Sequence, residues 1–183
     1  MQIDRVLYPI KTLGPGKRIG IWTVGCSHHC NKCSNPELWD PNINKDIPID
    51  FLLEYIKKYH ALADGVTITG GDPFFQPDDL YSLLLSLRKI GFNDILVYTG
   101  YEYERLLKTH RKVIDLIDVL IDGTYIDNLN DNQGIKGSSN QRVIVINKRL
   151  STKYDRVYTS ERKRQNFLYQ GKIISVGIPN KSK

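Results

Sequence analysis

The stretch Gly25-Cys26-Ser27-His28-His29-Cys30-Asn31-Lys32-Cys33 holds every cysteine of the 183-residue chain. A C-x3-C-x2-C triplet is one ligand short of a closed four-thiolate site, so a metal cluster bound here keeps one position open. Upstream, residues 3–8 and 18–24 read as two short strands around the turn-rich Gly14-Pro15-Gly16, so the cysteines follow directly on the C-terminal end of a strand. Downstream, the apolar alternation Val66-Thr67-Ile68 runs into Thr69-Gly70-Gly71-Asp72-Pro73, a second exit from a strand into a turn.

The triplet admits three chemistries. A structural zinc site needs a fourth ligand, which His28 or His29 could supply, although their place between the first two cysteines makes that geometry cramped. A single reactive thiol leaves the spacing unexplained. A [4Fe–4S] cluster on three thiolates uses all three and leaves one iron open. An odd number of cysteines in one loop is a poor disulfide framework, which favours reduced thiolates and a cytoplasmic location. The Gly-Gly-acid exit is common turn chemistry when taken alone. Beside the triplet it becomes informative, because two glycines let a ligand approach the backbone, and exposed carbonyls with Asp72 could cradle an ammonium group.

Working outward, apolar positions Leu52, Ile56, Tyr59 and Leu62 predict a helix from about residue 50 with Asp50 as N-cap, followed by a strand over 65–69. Pro77, Asp78 and Asp79 open a second helix with the stripe Leu80, Leu83, Leu84 and Leu87, closed by Arg88, Lys89 and Gly91. Further elements are expected as a strand at 94–99, helices at 101–108 and 112–116, and strands at 119–122 and 141–147. A closing hairpin is expected from 166–170 and 172–178 around Gly171. Strands alternating with helices imply right-handed βαβ units and a mostly parallel sheet. A full eight-unit barrel needs about 250 residues. The expected fold is therefore α/β, an open, partial (βα) barrel over residues 1–147, with residues 148–183 a basic extension packed on it and ending in the hairpin.

Hydrophobic residues make up 40% and charged residues 25%, ordinary for a globular chain, and no apolar run is long enough to cross a bilayer. The net charge of +6 is unevenly placed. Ten Lys and Arg stand against Asp155 and Glu161 after residue 147, a surplus of +8 that leaves the body at −2. Such a tail is either a solvated face or a docking surface for an acidic partner, with Arg162, Lys163 and Arg164 outside the chemistry. Tyr154, Tyr158, Phe167 and Tyr169 accompany the charges without a nucleic-acid motif, so nucleic acid is not the expected partner.

Six pieces in order carry a more specific resemblance: Gly14-Pro15-Gly16; the cysteine triplet; Gly70-Gly71-Asp72-Pro73; Tyr98-Thr99-Gly100-Tyr101; Val119-Leu120-Ile121-Asp122-Gly123; and Gly137-Ser138-Ser139-Asn140-Gln141. Together they resemble the radical S-adenosylmethionine (SAM) enzymes, and within them the activating proteins of anaerobic ribonucleoside-triphosphate reductase, which are activases of glycyl radical enzymes. The resemblance implies that Cys26, Cys30 and Cys33 bind a [4Fe–4S] cluster whose open iron chelates SAM. It places the backbone of Lys32, Cys33 and Ser34 near the adenine, where many radical SAM enzymes carry an aromatic in the position of Lys32. Gly70, Gly71 and Asp72 would hold the methionyl ammonium, so a side chain at Gly71 is expected to disturb SAM and spare the cluster. Thr99 and Asp122 would face the same cavity, closed by Ser138, Ser139, Asn140 and Gln141. The implied partners are a glycyl radical enzyme, namely the anaerobic (class III) reductase, and a flavodoxin-type electron donor. Two rival readings are a small-molecule radical SAM enzyme related to the 7-carboxy-7-deazaguanine synthases and a zinc-stabilised binding module.

Overall fold

The computed structural model describes residues 1–155, 157 and 160–181. Arg156, Tyr158 and Lys183, counted above in the tail, lie outside the described residues. Six strands form one sheet in chain order: β1 (Ile3–Ile10), β2 (Arg18–Thr23), β3 (Gly65–Gly70), β4 (Ile95–Tyr98), β5 (Val119–Asp122) and β6 (Arg142–Val145). The inner strands β2 to β5 are parallel, while β1 and β6 pair antiparallel at the two edges. The sheet is open, since β1 and β6 do not pair with each other. Helices α1 (Ile49–Lys57), α2 (Pro77–Lys89), α3 (Tyr103–Thr109) and α4 (Arg111–Ile114) fill the crossovers between the parallel strands. After β6 come α5 (Ser151–Asp155) and a separate two-stranded sheet, β7 (Gln165–Tyr169) with β8 (Lys172–Val176). No helix among the described residues is long and apolar enough to cross a membrane.

Alternation along the strands sorts side chains onto two faces. Ile19, Ile21, Val66, Ile68, Ile95 and Val97 meet Leu52, Ile56 and the α2 stripe Leu80, Leu83, Leu84 and Leu87 in the main core. The intervening residues face the other way. Leu7 and Trp22 there pack with Val176, and with Phe167 and Ile174 of the hairpin, while Leu96, Val119 and Ile121 pack against Tyr154 of α5. The helices thus cover one face and the C-terminal extension much of the other.

The helix starts correct one detail of the sequence reading. Asp50 is not the N-cap of α1. Pro48 occupies that position without a side-chain cap bond, and Asp50 sits in the first turn, where its charge complements the helix dipole. Helix α2 keeps the expected polarity, with Asp78 and Asp79 in its first turn and Arg88 and Lys89 in its last.

At the N-terminal end of the strands a fully buried arginine organises the polar groups of the second face. Arg18 Nε donates to Thr67 Oγ1 at 2.6 Å, and Nη2 donates to Val66 O at 2.6 Å and to Asp94 Oδ1 at 3.0 Å. Asp94 also accepts from Tyr154 Oη at 2.6 Å and from Lys153 Nζ at 2.5 Å, which binds α5 to the core. Burial alone would raise the Asp94 pKa, but the Arg18 charge with the Arg18, Lys153 and Tyr154 hydrogen bonds holds it below the usual carboxylate value. Breaking a buried pair leaves a buried charge unmatched. Asp94→Asn is therefore expected to cost about 3–5 kcal/mol in urea unfolding. Because this carboxyl titrates lower in the folded protein, its contribution is present above the unfolded value of about 3.9 and is lost as pH falls through the folded one. Wild type should accordingly lose stability on acidification faster than Asp94→Asn, and parallel pH profiles would count against the pairing.

Candidate active site

The exits of the four parallel strands converge on one cavity of about 270 Å³. The cysteine loop leaves β2, the Gly-Gly-Asp turn leaves β3, Thr99 and Gly100 leave β4, and Gly123 leaves β5, and all contribute to its lining. Ligand sites of α/β folds form at this end of the strands because the loops there can vary without disturbing the sheet.

Backbone hydrogen bonds join the cysteine loop to its neighbours. Gly25 N donates to Leu38 O and Cys26 N to Trp39 O, each at 2.8 Å. From the β3 exit, Gly71 N donates to Thr23 O and Asp72 N to Gly25 O, also at 2.8 Å. Gly70 supplies the turn, with φ of +112°, a conformation that L side chains rarely adopt. Gly71 is required by closeness instead: a Cβ there would overlap the Gly25 carbonyl and stand 2.9 Å from Leu38 O. The absent side chain makes room for the protein's own backbone, and the sequence-based expectation of an effect confined to a ligand ammonium is corrected accordingly.

Asp72, only 2% exposed, is the polar centre of the site. Its carboxylate accepts from Phe74 N at 2.9 Å, Thr99 Oγ1 at 3.0 Å and Gly100 N at 2.8 Å, and His28 Nε2 lies 3.1 Å away. His28 packs edge-on against Tyr101, and a Cβ on Gly100 would stand 2.5 Å from the His28 ring. His29 turns outward and stacks on Trp39 at 4.9 Å. His28 thus joins the lining of the cavity beside Asp72, and His29 lies outside it.

Cys26, Cys30 and Cys33 all line the cavity as free thiols. Burial pushes the Cys26 and Cys30 thiols up, and the Asp72 charge adds to it. Thiols of this kind are held as thiolates by a positive centre, which suits ligation of cluster irons. Asn35 N points at Cys33 Sγ at 3.4 Å, a donor suited to a thiolate. Among the described residues, no three His, Cys, Asp or Glu converge on a single-ion site.

The other expected contacts divide. Ser34, Gly70, Gly71, Asp72 and Thr99 line the cavity. Lys32 does not: its ammonium reaches outward to Asp127 at 2.9 Å. Asp122 is 1% exposed but faces away from the cavity, taking Arg142 as its ion-pair partner and accepting from Tyr103 N at 2.9 Å. The antiparallel register sets Arg142 opposite Asp122 and gives this buried carboxylate a neighbouring cation. Ser138, Ser139 and Asn140 shape the loop before β6 from behind, through Ile126 N, Leu129 O and Thr124 O respectively. Gln141 is the member that reaches the lining, accepting from Gly137 N at 2.7 Å and donating to Gly123 O at 2.7 Å.

The tail also corrects the sequence reading. Arg162, grouped there with the free charges, has a side chain 1% exposed and belongs to the interior. Arg164, Val176 and Pro179 line the cavity itself. Nothing local marked them, since the return of the hairpin onto the sheet depends on contacts more than 150 residues apart in sequence, such as Gln165 Nε2 to Pro9 O at 2.8 Å.

Residues 12–144 match the protein family described as a 4Fe-4S single cluster domain. The anaerobic ribonucleoside-triphosphate reductase-activating protein of Escherichia coli K12 is 33% identical over 147 residues, which cover 74% of this chain and 94% of that one. The chain belongs to the family of anaerobic ribonucleoside-triphosphate reductase-activating proteins. The proteins of that name from phage T4, at 33% over 148 residues, and from Haemophilus influenzae, at 32% over 143, agree; the matches cover 78% and 73% of this chain and 93% and 92% of theirs. The crystal structure of QueE from Escherichia coli aligns with 54% of this chain and 52% of that one at 24% identity and a TM-score of 0.46. Residues 148–183 lie beyond the span that matches the iron–sulfur family.

The contact at Gly71 makes a test of how the site is built. Gly71→Ala should displace the cysteine loop, lower iron incorporation on anaerobic reconstitution and cost about 1–3 kcal/mol of stability through overpacking. Full iron content at wild-type stability would show that the loop tolerates the displacement.

Proposed function

We propose that this protein is a radical SAM activase that installs a glycyl radical on an anaerobic ribonucleotide reductase, working from a partial, open (βα) barrel. The observation that carries the reading is the three-thiol loop wired to the Gly70-Gly71-Asp72 turn in one cavity, in a chain of the activating-protein family. Cys26, Cys30 and Cys33 would hold a [4Fe–4S] cluster with one iron left for SAM. When bound, the cluster supplies the electron that divides SAM into methionine and a 5′-deoxyadenosyl radical, which takes a hydrogen atom from a glycine of the partner. The electron donor proposed is of the flavodoxin kind.

The protein's own part is to orient and to exclude water. Asp72 holds the β3 and β4 exits at a set distance from the cysteine loop, and its carboxylate oxygens already accept bonds from the chain. The ligand ammonium therefore falls to backbone carbonyls of the Gly70–Gly71 turn. The apolar side of the cavity, with Leu13, Trp22 and Val176, limits solvent. The match to an iron–sulfur cluster family and the names of the relatives favour this reading over zinc and over a small-molecule substrate.

Protein reconstituted anaerobically with iron and sulfide, reduced with dithionite and given SAM, should release 5′-deoxyadenosine. Cys26→Ser, Cys30→Ser and Cys33→Ser should each abolish that release, there being no other cysteine to substitute. Stoichiometric zinc without iron–sulfur absorbance would refute the assignment.

Docking is expected to use the outer basic surface. Lys163 and Lys172 are exposed and have no ion-pair partner among the described residues, so they can steer an acidic surface. Lys163→Glu with Lys172→Glu should leave uncoupled SAM cleavage intact and slow glycyl radical formation, measured by electron paramagnetic resonance. The gap between variant and wild type should narrow at high salt, where the attraction is screened.

A further inference from the structure

Arg162 is a buried cation at the junction of three segments. Its guanidinium donates to Asn130 Oδ1 at 2.7 Å, Lys136 O at 2.6 Å, Gly137 O at 3.2 Å and Pro179 O at 2.8 Å. The nearest carboxylate, Asp131, stands 3.8 Å off, and Nε has no partner among the described residues. A buried guanidinium satisfied mainly by carbonyls is costly to desolvate and survives only where its geometry is over-determined. Here the fork is fixed from both sides. The 134 amide donates to Ser160 O at 3.0 Å, Gln133 bridges to Glu161, and Lys181 N donates to Asn132 Oδ1 at 2.6 Å.

Three of the residues Arg162 holds, Asn130, Gly137 and Pro179, line the cavity that holds the three thiols. Val176 and Ile178 extend the same wall, Val176 being anchored on the Leu13 and Trp22 cluster and its carbonyl accepting from Thr12 Oγ1 at 3.3 Å. Val176, Ile178 and Pro179 thus share one cavity with Cys26, Cys30 and Cys33, and an occupant seated against the cysteine loop has this wall beside it.

We infer that residues 175–179 of the extension form a built wall of the SAM site, and that Arg162 is the positioning residue that sets it against the Gly137 loop. This rests on the radical SAM reading above. The wall offers Val176, Ile178 and Pro179 to the apolar portion of the cofactor, while Arg162 stays behind it and touches no ligand. Tail and site are thus one structure, and the extension contributes to cofactor affinity as well as to encounter with a partner.

The test compares reconstituted wild type with Arg162→Met and Arg162→Lys by SAM calorimetry and by hydrogen exchange with and without SAM. SAM should protect the amides of residues 175–178 in wild type. Arg162→Met should weaken SAM binding about tenfold, because the released wall must be re-ordered before it meets the ligand. Iron content should be unchanged and turnover at saturating SAM close to wild type, and Arg162→Lys should recover part of the affinity. Unchanged exchange at 175–178 on adding SAM would overturn the inference. So would an Arg162→Met protein that binds SAM normally and shows only a lower melting temperature; if that variant fails to fold, Arg162→Lys carries the comparison. A wild type that binds no SAM would refute the functional reading instead. In that event faster exchange at 130–137 and 177–178 in the apo variant would still uphold the positioning role, and identical exchange would remove it.

Discussion

A carboxylate taken out of water must find donors from its own chain or lose its charge, and Asp72 meets that constraint with donors from two strand exits. Phe74 N comes from its own turn, Thr99 Oγ1 and Gly100 N from the end of β4, and the Asp72 amide in turn donates to Gly25 O at the start of the cysteine loop. Three loops that the sheet would otherwise leave free are thereby set at fixed separations. The Asp72 side chain ties the β3 exit to the β4 exit, and its backbone amide ties that turn to the cysteine loop, so the thiols, the Gly-Gly turn and the lining from β4 share one cavity. The glycines follow from the same arrangement: Gly71 lies too close to Gly25 O to carry a Cβ, and Gly100 too close to the His28 ring.

The sheet gives this end of the molecule its two-sidedness. Residues that alternate toward the helices are almost wholly aliphatic, whereas the opposite face mixes Arg18 and Thr67 with Trp22 and Leu96. A face of that composition cannot be left to solvent without cost, nor can it be covered by a purely apolar layer. The extension resolves both needs. Lys153 and Tyr154 meet Asp94 at one end of the strands, and Phe167, Ile174 and Val176 cover the aliphatic patch near the other.

The charge of the tail divides along the same line. Arg162 and Lys153 are structural cations that satisfy carbonyls and a buried carboxylate, whereas Lys163 and Lys172 remain exposed. A net count of +8 treats these alike, although Arg162 is desolvated in the interior, Lys153 is tied at its edge to a buried carboxylate, and only the second pair is left to act at long range.

Much of the site was legible without coordinates. The strand-then-loop reading around residues 18–33 and 65–73 needs only period-two alternation followed by turn residues, and both loops lie where strand ends would place them. The three cysteines, close in sequence, do come to one cavity. The α2 stripe and its charged ends are equally local, and the observed helix matches them. What the chain could not declare is which polar side chains turn toward the cavity. Asp122 and Ser138 sit in the right motifs yet take Arg142 and Ile126 N as partners, because those partners are brought beside them only when β6 and the loop before it fold back. Nor could it announce that the extension would supply Arg164 and Val176 to the same cavity. The local sequence of the hairpin specifies two amphipathic strands and a turn. The sheet face they cover is chosen by burial across more than 150 residues of intervening chain, and that choice exists only in the tertiary structure.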